Sequence, residues 1–133
     1  MNYTFFTLQL ILAATLGGLV GWQRSHIHKA AGFRTYILVS VGSALFTILS
    51  LYAFGDSDPG RVASQILTGI GFIGAGAILH KKDSTEGVTT AAGLWAIAAI
   101  GMAVGAGWLV HATIAAFIIF LVLLMNDDEI MKR

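Results

Sequence analysis

Cysteine is absent from this chain, proline occurs once, and only 11% of the 133 residues are Asp, Glu, Lys or Arg. The first absence excludes disulfides and thiolate metal sites. With one proline and no Ser- or Gly-rich linker, nothing divides the chain, and its length suits a single domain over residues 1–133. Eight basic residues stand against seven acidic ones, a net charge of +1, so the footprint of a nucleic-acid-binding protein is missing. Ser43 and His111 are the one tempting catalytic pair, and no nucleophile motif surrounds either, so the sequence does not read as an enzyme.

What the chain does have is apolar sequence. Its hydrophobic fraction is 56% and its mean hydropathy +0.80. The charges gather in short clusters with long uncharged runs between them. This is the pattern of an all-α, polytopic membrane bundle. A helix needs about 20 apolar residues to cross the hydrocarbon core. Five runs meet or approach that length, at about 5–22, 35–54, 60–80, 89–105 and 107–125. The fourth is short and rich in Ala and Gly, and the turn at "VGAGW" before the fifth is tight.

Flanking charge orients the spans. With the N-terminus outside and the C-terminus inside, the inner segments hold Arg24, Lys29, Arg34, Lys81, Lys82, Lys132 and Arg133. The outer ones hold only Arg61, beside Asp56 and Asp58. The first run has no preceding basic residue and no small-residue cleavage site, so it reads as a retained anchor. Tyr3, Trp22, Tyr36, Tyr52 and Trp108 are expected at the membrane interfaces, and Trp95 deeper, as a packing residue.

Residues 68–79, "TGIGFIGAGAIL", contain Gly69-x-Gly71-x-x-Gly74, the spacing of a dinucleotide fingerprint. That fingerprint must follow a strand and have an acidic residue about 20 positions on. Here "DPGRVASQIL" precedes it, with Asp58 as a cap and Pro59 at the first helical position, and "GLWAIAAI" follows without a carboxylate. No cofactor is implied. The glycines are better explained by close helix packing, the main device of association in lipid. Small residues four apart, the spacing such packing uses, recur as Gly17-x-x-x-Gly21, Ser40-x-x-x-Ala44, Gly71-x-x-x-Ala75, Gly101-x-x-x-Gly105 and Ala112-x-x-x-Ala116. Gly69, Gly71, Gly74 and Gly76 surround much of the third span, which places it at the centre of the bundle. More small-residue faces exist than five helices need, so a homodimer is expected.

The blocks "AAGFRTYILVSVGSALF", "DPGRVASQILTGIGFIGAGAIL" and "GVTTAAGLWAIAAIGMAVGAG" resemble, in order, those of the MgtC/SapB family, from about Gly17 to Gly107. The resemblance implies a multi-pass protein of the bacterial inner membrane, linked to growth in low magnesium, acid tolerance and survival of pathogens in macrophages. It implies a regulator of other membrane proteins, including ion pumps and the F-type ATP synthase. Its motif positions fall on Arg24, Gly32, Arg34, Thr35, Asp58, Arg61, Gln65, Gly69, Gly71, Gly74, Gly76, Thr89, Thr90 and Trp95. Two departures stand out. Gln23-Arg24 replaces the family's usual Glu-Arg. The chain ends at "NDDEIMKR", where many members continue into a cytosolic domain, so the resemblance is to a short form.

The polar residues each have a plain reading beside a functional one. Arg24, Lys29 and Arg34 serve as topogenic charge or as a cytoplasmic docking surface for protein or lipid phosphate. Asp58 and Arg61, three apart at a helix start, form a cap and local pair or a ligand site at the mouth of a span. Gln65 and Thr68 share a face with Arg61 and Phe72, as interhelical glue or the lining of a polar cavity. Thr89 and Thr90 are expected to cap the fourth span. His26-x-His28 lacks a third metal ligand, His80 falls at the inner interface, and His111 near the outer surface has the chemistry of a pH sensor.

The expected function is regulation by binding other membrane proteins, with membrane lipid as its surroundings. The alternative is a transporter or channel for Mg²⁺ or another ion. A Mg²⁺ path wants oxygen ligands, usually carboxylates. All seven acidic residues, Asp56, Asp58, Asp83, Glu86, Asp127, Asp128 and Glu129, lie outside the apolar runs.

Overall fold

The structure is a computed structural model, and it describes residues 2–53, 58–82 and 84–125. Asp56, Asp83 and the charged segment 126–133, which carries Asp127, Asp128, Glu129, Lys132 and Arg133, lie outside the described residues. In chain order the elements are α1 (Tyr3–His26), α2 (Phe33–Tyr52), α3 (Pro59–Gly76), β1 (Leu79–Lys81), β2 (Ser84–Glu86), α4 (Val88–Gly105) and α5 (Leu109–Leu124). The five apolar runs thus become five helices, each within a few residues of its expected bounds.

Local chemistry sets the ends. Asn2 caps α1 by accepting from the Phe5 N–H at 3.3 Å. Asp58 caps α3 by accepting from the Gly60 N–H at 2.9 Å, with Pro59 at the start of the helix. At the far end of α1, Lys29 N–H reaches Arg24 O and His28 N–H reaches Ser25 O, each at 3.1 Å. These two bonds form a Schellman ending, with His28 in the left-handed region at φ 53. The α4–α5 turn repeats the motif, with Trp108 N–H on Ala103 O, Gly107 N–H on Val104 O, and Gly107 at φ 86.

The third run is cut short. α3 stops at Gly76, and the chain turns into an antiparallel hairpin that pairs Leu79 with Glu86 and Lys81 with Ser84. Helices α1, α2 and α4 are long and apolar enough to cross a bilayer. The fourth run, the doubtful one by composition, is among them. α5 has 16 residues, about 24 Å at the helical rise. α3 opens on a polar turn, which lowers its hydropathy.

α3 is not the centre of the bundle; α4, which touches all four other helices, shares that place with α2. α2 presents a buried stripe of Tyr36, Ser40, Ala44 and Ile48 at every fourth position. α1 packs on one side through Gly17 and Gly21. A Cβ at Gly17 would lie 2.7 Å from Tyr36 O, and one at Gly21 would lie 2.7 Å from the Tyr36 Cβ. α4 packs on the other through Gly101 and Gly105. A Cβ at Gly101 would collide with Ser40 O, and one at Gly105 would lie 2.5 Å from Ala44 O. α5 seals the bundle with buried Ala112, Ala116 and Leu123. α3 lies at the edge on α2 and α4, because over 60–76 only Ile70 and Gly74 reach a buried position. Gly74 adjoins Ala91, whereas a side chain at Gly69, Gly71 or Gly76 would meet nothing within 4 Å.

Candidate functional site

Arg24 lies in the last turn of α1 and turns inward. It is 2% exposed, and its Nη2 donates to Thr90 Oγ1 of α4 at 3.0 Å. Its Nε–H has no hydrogen-bond partner. The Tyr36 hydroxyl joins the same region, donating to Thr90 O at 3.5 Å. The expected docking surface therefore loses Arg24, which is a buried interhelical donor. Thr89 and Thr90 do not cap α4 either. The cap is Gly87, in the left-handed region at φ 90, and it supplies no side-chain bond. A Cβ there would run into Ala77 O, so the cap position has no room for Ser or Asp.

Beside this cluster a pocket of about 330 Å³ opens between the end of α1 and the start of α4. Arg24, His28, Lys29, Glu86, Thr89 and Thr90 supply its polar wall. The Schellman ending of α1 holds the His28–Lys29 backbone at its rim.

A second, larger opening is the groove of about 680 Å³ between α2 and α3. Leu38, Val39 and Phe46 of α2 face Val62, Ile66 and Ile73 of α3 across it, and Arg61 and Gln65 bring polarity to its α3 N-terminal end. Asp58 is occupied as the helix cap, and Arg61 N–H bonds its carbonyl at 3.1 Å. Thr68 is turned onto its own helix, donating to Ser64 O at 3.1 Å. Arg34 is exposed and Thr35 half-buried at the start of α2, away from this groove. The structure thus joins Arg24 with Thr89 and Thr90, joins Arg61 with Gln65, and leaves Arg34 apart from both.

Two aromatic placements differ from expectation. Trp95 points outward and is 55% exposed, while Tyr36, expected at an interface, is fully buried because both flanking glycine helices close on it. Trp22, Tyr52 and Trp108 face outward. His26 lies against Trp22 and His111 against Trp108, with ring centroids 5.4 Å and 5.0 Å apart. His80 Nδ1 lies 3.3 Å from Thr85 Oγ1 in the hairpin. No group of three metal-ligating side chains occurs among the described residues.

Two buried glutamines tie helices together; Gln23 stood out in the sequence only as a departure from the family's Glu, and Gln9 did not stand out at all. Gln9 is 1% exposed and donates through Nε2 to Val104 O at 2.6 Å and Gly105 O at 3.0 Å. Gln23 donates to Leu123 O at 3.0 Å, tying α1 to the end of α5. For Gln9 the available signal was a lone long amide within an apolar stretch, which in lipid must find a partner.

The MgtC family profile matches residues 10–129. The chain is 48% identical over 110 residues to an Escherichia coli protein named "Putative magnesium transporter YhiD", covering 77% of this chain and 51% of that protein. It is 48% identical over 110 residues to "Protein MgtC" of Brucella abortus, covering 83% of this chain and 46% of the relative. To "Protein MgtC" of Salmonella typhimurium it is 43% identical over 114 residues, covering 86% and 49%. The chain spans about half the length of these curated relatives. No solved structure matches it. The family match and the three long apolar helices together mark a membrane protein.

Proposed function

Because this chain belongs to the MgtC family, we propose that it is a regulatory protein of the bacterial inner membrane that supports growth in low magnesium by packing against other membrane proteins. The observation that carries this reading is the outer face of α3. Gly69 and Gly76, which share a helical face with Phe72, have open space where a side chain would stand, as does Gly71 on an adjoining side, and Phe72 is 86% exposed. In lipid, a helix face of small residues permits close backbone approach by another helix. The apolar groove beside it extends that surface onto α2. Lacking a partner, the same face pairs two copies of the chain.

A second reading, ion transport, is favoured by the name of the Escherichia coli relative. Against it stand the positions of the carboxylates. Asp58 is spent as a cap, Glu86 lies in the hairpin strand β2, and a Mg²⁺ ion sheds water only for hard oxygen ligands. The experiment pairs flux with growth. Protein in liposomes is expected to give no saturable Mg²⁺ uptake, while Gly71→Leu abolishes low-Mg²⁺ growth support with the protein still folded in the membrane. Saturable uptake that is lost in Asp58→Asn would establish transport instead.

A further inference from the structure

We propose that the pocket between the end of α1 and the start of α4 binds a phosphate oxyanion, whether inorganic phosphate or the phosphate of an anionic lipid headgroup. Three features converge there. The first is Arg24, whose charge is withdrawn from solvent and whose partners, the Thr90 hydroxyl and the Tyr36 side chain, carry no countercharge, with Nε–H left unpartnered. A guanidinium so placed lacks the compensation that a buried charge requires.

The second is the bare N-terminus of α4. Its opening amides receive no side-chain cap, because Gly87 is compelled at that position by its φ of 90 and by the Ala77 carbonyl against it. Uncapped first-turn amides carry a partial positive charge of about half a unit, and an oxyanion satisfies them. The third is Lys29, an exposed ammonium on the same wall, set there by the Schellman ending.

Glu86 is the acidic residue of the wall, and it has interactions of its own. Arg24, Lys29 and the helix terminus outweigh it, so the pocket is positive. A dication would meet one carboxylate against two full positive charges, which selects against it. A volume of about 330 Å³ admits a phosphate group or a lipid headgroup.

The test uses the full chain in neutral detergent. Calorimetry with inorganic phosphate reads the free anion. Native mass spectrometry with added phosphatidylglycerol, against phosphatidylcholine as control, reads the lipid. Arg24→Ala removes a buried anchor and risks the fold, so the informative variants are exposed ones. Lys29→Ala removes a charge from the rim. Thr89→Glu places a carboxylate in the first turn of α4, which suits the helix and repels an anion. Each is expected to weaken binding about tenfold or more, the effect of losing one charged contact. Inorganic phosphate binding that falls in both variants assigns a free anion. Phosphatidylglycerol retained one to one, without inorganic phosphate binding, and lost in both variants assigns a lipid. If the unaltered chain binds neither probe, or if binding is unchanged in either variant, the proposal is wrong.

Discussion

Gln9 shows how much one side chain carries in a bundle without a hydrophobic driving force between its helices. Its amide bridges α1 to the last carbonyls of α4, deep among apolar neighbours. Hydrogen bonds between helices in lipid are worth about 0.6–2 kcal/mol each. Gln9→Leu keeps the volume and removes both bonds, so the bundle should lose about 1 kcal/mol, read as a lower melting temperature in detergent. An unchanged or higher melting temperature would show the bonds to be incidental. At this scale the sequence is least legible. Arg24 has the same neighbours in sequence whether it faces water or Thr90, so its charge reads as topogenic. Asp58 was legible because its partner, the Gly60 amide, lies two residues away.

Small-residue spacing describes an element without naming its neighbour. Gly101-x-x-x-Gly105 and the glycines of α3 look alike in sequence, yet α4 spends its face on α2 while α3 keeps most of its own open. The difference lies in what each face meets: Gly101 and Gly105 sit against the backbone of Ser40 and Ala44, whereas Gly69, Gly71 and Gly76 meet open space. The two faces are therefore expected to respond oppositely to bulk. Gly101→Leu should disrupt the bundle, since overpacking costs about 1–3 kcal/mol even where neighbours yield. Gly71→Leu should leave the melting temperature unchanged and, in mild detergent, convert a dimer to a monomer by mass measurement. Equal melting temperatures for the two variants would contradict this assignment of faces. The hairpin of β1 and β2 was hidden for another reason: strands of three residues are too short for an alternating pattern to show. The α4–α5 turn was legible because Gly107 supplies the conformation a Schellman ending needs.

The whole molecule sorts its charges by end. Gly17 meets Ser40, Gln9 meets Gly105, and Gln23 meets Leu123, so α2 and α4 run against α1, and α5 runs with it. Arg24, Lys29, Arg34 and Lys82 then share one end of the bundle, and Arg61 sits at the other with Asp58. The charge bias predicts that the first group is cytoplasmic. The cysteine-free background gives a clean check, because Lys82→Cys should resist an impermeant thiol reagent in whole cells while Ala106→Cys reacts. Labelling at Lys82→Cys alone would invert the orientation. The mouth of the α2–α3 groove then belongs to the outer leaflet. There Arg61→Ala is expected to abolish low-Mg²⁺ growth support in a folded protein, and Arg61→Lys to restore part of it if charge alone is read.

A regulator of this kind must bring α3 against another protein. A photo-activated cross-linking residue placed at Phe72, with the same probe at outward-facing Trp22 as control, measures this in cells growing in low Mg²⁺. The predicted result is one discrete adduct from position 72, containing this chain and a different membrane protein, lost in Gly71→Leu and absent from position 22. Adducts to lipid alone at both positions, in cells whose growth the protein still supports, would contradict it.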